Sequence, residues 1–376
     1  MLRLQRPLSP DLAAASDDEL RARIDAAKAT LGDRLFILGH HYQRDDVIEF
    51  ADARGDSFRL SVLAQERPDA DYIVFCGVHF MAESADILTA DSQQVVLPDL
   101  NAGCSMADMA DIDQVEEAWE VLGETVDVDG IVPITYMNSS AAIKAFVGRH
   151  GGAVCTSSNA RAVLEWALGT GGPGPANRSG GRGERVLFFP DQHLGRNTGL
   201  AMGYDHEHMR LWDPRQVAGG LSPADVEAAS LLLWKGHCTI HQRFRPEHVE
   251  AFRAEHPDGI VIIHPEAPYE TCELADHLGS TSHIIRTVES LPAGSKIGIG
   301  TEVHLVQRVA NENPDKTIVN LDPLICPCST MFRIDLPHLC WVLEELVEGR
   351  VVNQITVDPD TTEWSKVALD RMLSIT

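Results

Sequence analysis

Positive charge is scarce in this chain: 31 lysines and arginines stand against 56 aspartates and glutamates, a formal net charge of −25 at pH 7. Such an excess repels phosphate backbones and anionic bilayers, so nucleic acid and membrane are not expected partners. No basic stripe offsets it, which disfavours a nucleic-acid-binding regulator. Long apolar runs are missing too, and none approaches the ~20 residues that span a bilayer. Met1 to Pro10 lacks the apolar stretch of an export signal, so a cytoplasmic protein is expected. Thiols stay reduced in that compartment. The eight cysteines then read as ligands, nucleophiles or small core residues rather than as a disulfide framework.

What is present is ordinary globular material. The chain has 376 residues, 44 % of them apolar and 23 % charged, enough for two or three domains with cores of their own. Ser16-Asp17-Asp18-Glu19 reads as a capping box opening a helix that ends near Gly32. Strand-like runs follow at Leu35–Leu38, Tyr72–Phe75, Val95–Leu97, Ile131–Ile134, Val186–Phe189, Ile260–Ile263, Lys296–Ile299 and Thr317–Asn320. Helix-length stretches separate them, and that alternation predicts parallel α/β layers.

Internal similarity sharpens this. One run ends in Gly39-His40-His41-Tyr42; Ser57 comes 17 residues after His40, and Cys104 comes 47 residues after Ser57. Another ends in His264-Pro265-Glu266; Thr281 comes 17 residues after His264, and Cys328 comes 47 residues after Thr281. The middle of the chain keeps the order with looser spacing: Tyr136-Met137-Asn138, then Ser157, then Cys238. Its excess length falls in the Gly-, Pro- and Ser-rich stretch Gly169–Gly183, read as a flexible loop, and in Tyr204–Ala229, read as inserted. A histidine also recurs before each closing cysteine, as His79, His193 and His304, which read as packing groups. The pattern predicts three homologous α/β units. Packed around a pseudo-threefold axis, their strand ends would face one cavity ringed by His40, Tyr42, Ser57, Tyr136, Asn138, Ser157, His264, Glu266 and Thr281.

Those residue types suit acid/base chemistry and the orientation of carboxylates. Three equivalent thiols, Cys104, Cys238 and Cys328, suit a soft metal centre. A cubane iron–sulfur cluster held by three cysteines would keep one iron open as a Lewis acid. Zinc held by three cysteines with histidine or water fits the same thiols. Cys76, Cys155, Cys272 and Cys340 do not recur and read as small core residues. Cys326, two residues before Cys328, is either a redox neighbour or merely adjacent.

From about Leu35 to Leu346 the chain resembles the quinolinate synthase family. The resemblance rests on Ile37-Leu38-Gly39-His40-His41-Tyr42-Gln43, Gly55-Asp56-Ser57, Leu97-Pro98-Asp99 through Cys104, Thr135-Tyr136-Met137-Asn138 and Cys155-Thr156-Ser157-Ser158-Asn159. It continues through Gly236-His237-Cys238-Thr239-Ile240-His241, His264-Pro265-Glu266, Gly279-Ser280-Thr281-Ser282 and Cys328-Ser329-Thr330-Met331. The resemblance implies three αβα domains with the active site at their common interface, and a [4Fe–4S] cluster on Cys104, Cys238 and Cys328. It implies condensation of iminosuccinate with dihydroxyacetone phosphate to quinolinate, with loss of phosphate and two waters, in NAD biosynthesis. Iminosuccinate would be bound by His40, Ser57, Tyr136, Met137, Asn138, Ser157, His264, Pro265, Glu266 and Thr281. Tyr42, Glu266 and His241 match acid/base and orienting positions. An aspartate-oxidising enzyme must supply the imine, and transient contact with it is a further expectation. Two features depart from many members: Ala267 stands where cysteine is common, and the long middle unit with Cys326-Pro327-Cys328 matches a longer subgroup.

The expected boundaries are an N-terminal helix over 1–32, αβα domains over 33–104, 105–238 and 239–328, and a helical segment over 329–376. Two rival functions share the thiols: a zinc-dependent hydrolase or aldolase, and a non-catalytic iron–sulfur sensor.

Overall fold

The computed structural model describes residues 4–169 and 181–375. The loop read at Gly169–Gly183 falls mostly on 170–180, outside the described residues. The first long helix, Asp17–Leu31, forms where the sequence places it. Ser16 Oγ accepts the Glu19 N–H at 3.3 Å, while the Glu19 carboxylate turns to Arg23 at 3.6 Å instead of closing the box. Gly32 ends the helix at φ 55°, in the left-handed region that glycine enters without a Cβ clash.

Fourteen strands are described. In chain order they are β1 (Leu35–His40), β2 (Ala53–Gly55), β3 (Tyr72–Cys76), β4 (Gln94–Val96), β5 (Ile131–Tyr136), β6 (Ala153–Cys155) and β7 (Arg185–Phe189). The rest are β8 (Met209–Trp212), β9 (Leu231–Trp234), β10 (Ile260–Ile263), β11 (His277–Leu278), β12 (Lys296–Gly300), β13 (Thr317–Asn320) and β14 (Gln354–Ile355). All eight sequence runs meet strands; seven lie wholly within one, and the run at Val95–Leu97 is displaced by one residue, the strand being Gln94–Val96.

The strands form three sheets, ordered β14-β4-β3-β1-β2, β6-β5-β7-β9-β8 and β11-β10-β12-β13. Every pairing is parallel except β14 with β4. Set aside β14 and β8, and each sheet has the same order: second strand, first, third, fourth. The repeat in spacing is therefore also a repeat in topology. The stretch Tyr204–Ala229 adds an edge strand, β8, outside β9, where extra chain leaves the common order intact. β1, β5 and β9 are buried along their whole length, as strands covered on both faces must be. In each sheet the chain leaves the first strand for one neighbour and later returns on its other side. Ligand crevices form at that reversal, outside the strands' carboxyl ends.

The chain divides into two compact units. One comprises Met1–Cys104, Glu302–Arg308 and Cys326–Asp358, and holds the first sheet. In it the helix Leu336–Val347 packs on Asp17–Leu31, and the Arg23 guanidinium binds both Glu344 oxygens at 2.8 Å. The other comprises Ser105–Thr301, Val309–Ile325 and Pro359–Thr376, and holds the second and third sheets. In it the C-terminal helix Pro359–Ile375 lies against Ala141–Arg149. The two approach closely at Gly148, where a Cβ would stand 2.0 Å from the Trp364 carbonyl oxygen. Gly148→Ala is expected to destabilise the protein by about 1–3 kcal/mol, because backbone must move to admit the methyl. Thermal unfolding checks this, and an unchanged midpoint would mean the helix pair is looser than described. Among the described residues no helix is long and apolar enough to cross a membrane.

Candidate active site

The conserved order of the three sheets puts equivalent residues at equivalent strand ends. His40 is the last residue of β1, Tyr136 the last of β5, and His264 directly follows β10. After β1 the Tyr42 N–H donates to His40 Nδ1 at 3.1 Å; after β10 the Glu266 N–H donates to His264 Nδ1 at 3.4 Å. An Nδ1 that accepts leaves the proton on Nε2, so both imidazoles are held as the same neutral tautomer. The next element repeats as well. Ser57 and Thr281 are the first residues of the helices Ser57–Gln65 and Thr281–Ser290, capped by Asp56 and Ser280. Ser157 lies in the turn before the helix Ala160–Leu168, where Asn159 Oδ1 accepts the Thr156 N–H at 2.7 Å. Ser158 and Ser280 join by their hydroxyls at 2.8 Å, so the loops carrying Ser157 and Thr281 meet.

The densest polar cluster centres on Glu266. Its Oε1 accepts from the Tyr136 hydroxyl at 2.7 Å, and its Oε2 lies 2.8 Å from His241 Nδ1. His241 Nε2 reaches Thr301 Oγ1 at 2.9 Å, and the His241 ring stacks on His264 with centroids 4.5 Å apart. All five side chains are buried. Burial alone would raise the Glu266 pKa, but the neighbouring His241 and the hydrogen bonds from His241 and Tyr136 hold it below the usual range. An ionised Glu266 only accepts, so His241 Nδ1 carries a proton towards it, while Nε2 lies against the Thr301 hydroxyl. Nearby, burial and the Glu266 charge push the Asp191 carboxyl up, against three backbone N–H groups that favour its anion. Two carboxyls driven apart in this way are a signature of acid/base sites.

Burial lowers the His264 pKa to about 3 against the partial pull of Glu266. The ring stays neutral in the fold, whereas the unfolded chain protonates it below about 6.5. The unfolded state then binds more protons, so this contribution is complete above pH 6.5 and is lost as pH falls towards 3. Between those limits it should weaken by about 1.4 kcal/mol per pH unit. His264→Gln should flatten the acid limb of stability by that slope; parallel limbs in parent and variant would show the ring already charged in the fold.

The cysteines separate by environment. Cys76, Cys155, Cys272 and Cys340 are buried, Cys326 is exposed, and Cys104, Cys238 and Cys328 are half-buried. Burial pushes the Cys76 and Cys272 thiols up to about 12, which suits inert core groups. The Cys238 N–H donates to Asp191 Oδ2 at 3.2 Å and the Cys328 N–H to Glu302 Oε1 at 3.3 Å. In the first sheet's unit the His79 N–H binds the Ala102 carbonyl, and in the second sheet the Gln192 N–H binds that of Gly236. Each acceptor stands two residues before a cysteine. Cys238, His241 and Glu266 bring ligand atoms within 4.8 Å of one another.

Asp191, Thr301 and Glu302 are residues that sequence reasoning missed. A signal was available: an acid stands just before the recurring histidine in Asp191-Gln192-His193 and Glu302-Val303-His304. His79, His193 and His304 themselves open the helices His79–Leu88, Gln192–Ala201 and Val303–Glu312, each following a sheet's third strand. Met137 is buried with its N–H on the Cys155 carbonyl, Asn138 is half-buried, and the Pro265 carbonyl accepts from Asn197 Nδ2 at 2.8 Å.

Comparison with known proteins gives this geometry a family. Residues 22–374 match the family model described as quinolinate synthetase A protein. The chain is 55 % identical over 371 residues to the quinolinate synthase of Corynebacterium glutamicum, covering 99 % of this chain and 91 % of that one. It is 57 % identical over 367 residues to that of Nocardioides sp., covering 97 % and 91 %. It is 52 % identical over 380 residues to that of Rhodopirellula baltica, covering 98 % and 94 %. With its buried acid/base cluster, its three half-buried cysteines and more than half its residues shared with these relatives along nearly its full length, the chain belongs to the quinolinate synthase family.

Proposed function

We propose that the chain condenses iminosuccinate with dihydroxyacetone phosphate to quinolinate, releasing phosphate and two waters, in cytoplasmic NAD biosynthesis. All atoms of both substrates are accounted for by these products, so the conversion needs no external oxidant. Family membership supports the reaction. The observation that carries the chemistry is the buried chain Tyr136–Glu266–His241–Thr301 beside Cys238.

A [4Fe–4S] cluster on Cys104, Cys238 and Cys328 completes the proposal. The donor set fits: three half-buried thiols outside any disulfide, with the N–H groups of two cysteines fixed by buried acids. When bound, the cluster supplies an open iron as Lewis acid towards a substrate oxygen. That ligand set draws one cysteine from each predicted domain, with boundaries as read from the sequence. Glu266 and Tyr42 move protons during condensation and dehydration. The proton fixed on Nε2 of His40 and of His264 is a donor for substrate carboxylates. Ser57 and Thr281 open helices of nine and ten residues, whose positive ends favour anionic groups. Tyr136, Met137, Asn138, Ser157 and Pro265 complete the imine's binding site, and His241 orients Glu266. The substrates are small anions, and an aspartate-oxidising enzyme is the proposed source of the imine.

One observation favours zinc, the grouping of Cys238, His241 and Glu266. Against it, both Glu266 oxygens are already engaged, by Tyr136 and by His241. Anaerobic purification decides. The protein should be brown, hold about four irons and matching sulfide, and form quinolinate from the two substrates. A colourless protein with a single zinc and no quinolinate would overturn the proposal.

A further inference from the structure

Tyr42 and Glu266 occupy the same place in their repeats, two residues beyond His40 and His264. Both sit in loops, and a loop side chain is only as well aimed as its backbone is held. In the first case the guanidinium of Arg308 donates from Nη1 to the His41 carbonyl at 2.8 Å and from Nη2 to the Gln43 carbonyl at 2.7 Å. Asp45 fixes that guanidinium from behind, accepting from Nε at 2.9 Å. In the second case the amide of Asn197 donates from Nδ2 to the Pro265 carbonyl at 2.8 Å and to the Ala267 carbonyl at 2.9 Å. Nδ2 also lies 3.3 Å from Cys272 Sγ; two carbonyls and a thiol all accept, so the amide fits only with its NH₂ turned towards them. The same two carbonyls are taken each time: those immediately before and after the acid/base residue.

The two donors are also equivalent by sequence. Asn197 is the fourth residue after His193, and Arg308 the fourth after His304, each one helical turn beyond the recurring histidine. Both side chains are buried. The remaining repeat has Glu83 in that place, which pairs with His79 at 3.3 Å and, as a carboxylate, has no N–H for a carbonyl. In the middle repeat a buried lysine from another helix, Lys144 of Ala141–Arg149, donates to the Ser139 carbonyl, which follows Asn138.

We propose that Asn197 and Arg308 are positioning residues for Glu266 and Tyr42: each spans the two peptide carbonyls flanking its acid/base residue and fixes the direction of that side chain. The inference rests on the function proposed above for those two groups. With the amide tied to a histidine and both carbonyls tied to one buried donor, the backbone at Tyr42 and Glu266 keeps one orientation. A catalytic group displaced by about 1 Å loses on the order of 10²-fold in rate.

The test uses the anaerobically purified full chain carrying Asn197→Asp or Arg308→Lys, with Asn197→Ser and Arg308→Ala in reserve should either fold poorly. Hydrogen exchange should quicken about tenfold or more at 264–268 in the Asn197 variants and at 41–45 in the Arg308 variants, leaving other segments as in the parent. Quinolinate formation should lose on the order of 10²-fold in kcat with KM within about threefold, since alignment acts on the chemical step. Iron and sulfide should stay at parent levels, and Arg308→Lys should retain more kcat than Arg308→Ala. Unchanged exchange in the cognate segment, kcat within about threefold of the parent, or faster exchange throughout the unit would each overturn the assignment. If the parent chain forms no quinolinate, the functional proposal fails separately, and segment-specific exchange alone decides whether these residues hold the loops.

Discussion

Cys238→Ala is expected to yield a folded, colourless protein with little iron or sulfide and at least roughly 10³-fold less quinolinate formation. The same outcome is expected for Cys104→Ala and Cys328→Ala. A cubane held by three thiolates already has one uncoordinated corner, and losing a second ligand leaves a cluster with two open irons that solvent and oxygen dismantle. Only a thiolate binds iron, and burial disfavours thiolates. Cys155, buried in β6 with its thiol pushed up, is therefore the matched control. Cys155→Ala should keep iron, sulfide and turnover while losing about 1 kcal/mol of packing. Iron and sulfide analysis, read beside the assay, separates the two classes. A Cys238→Ala protein with full iron content would remove that ligand and the Lewis-acid role with it.

Glu266→Gln should show the complementary behaviour: parent-level iron and sulfide, and kcat lower by on the order of 10³-fold. The substitution keeps shape and an oxygen for the Tyr136 hydroxyl, now 2.7 Å from Oε1. It removes the charge and any capacity to take a proton. It also turns an N–H towards His241 Nδ1, which lies 2.8 Å from Oε2 and donates to the native carboxylate. With an N–H facing it, Nδ1 can no longer donate, so the hydrogen bond that holds the imidazole to residue 266 is lost or reversed. Tyr136→Phe removes one neutral hydrogen bond and leaves the carboxylate, so its loss should be nearer tenfold. Steady-state kinetics on cluster-replete protein checks both. Near-parent kcat for Glu266→Gln would mean that the carboxylate only organises its neighbours.

Local signals sufficed for much of the architecture. Buried parallel strands need continuous aliphatic runs, and Ile260–Ile263 is a strand over the limits its composition predicts, while the half-exposed edge strand Thr317–Asn320 is marked by its β-branched residues. The helix Asp17–Leu31 is bracketed by a serine cap and a glycine stop, both local effects. The repeated spacings of 17 and 47 residues anticipate a shared element order, because a strand, its turn and its helix have fixed lengths. Six strands went unread: the edges β2, β6, β8, β11 and β14, and β9, whose buried apolar run Leu231–Trp234 did carry a signal. Two or three residues such as His277–Leu278 carry no periodicity, and they are strands only because a neighbour pairs with them.

The site divides along the same line. Residue type and spacing by themselves singled out the candidate side chains: thiols for a soft metal, His, Tyr and Glu for protons, Ser and Thr for carboxylates. The fold alone decided what state and direction those groups have. Glu266 is made an ion by partners 130 and 25 residues away, and is aimed through carbonyls bound by Asn197, 68 and 70 residues back. Covalent structure sets the donors and acceptors a residue owns, but ionisation and orientation depend on desolvation and on nearby charge and hydrogen bonds, and those neighbours come from distant parts of the chain only once it has folded.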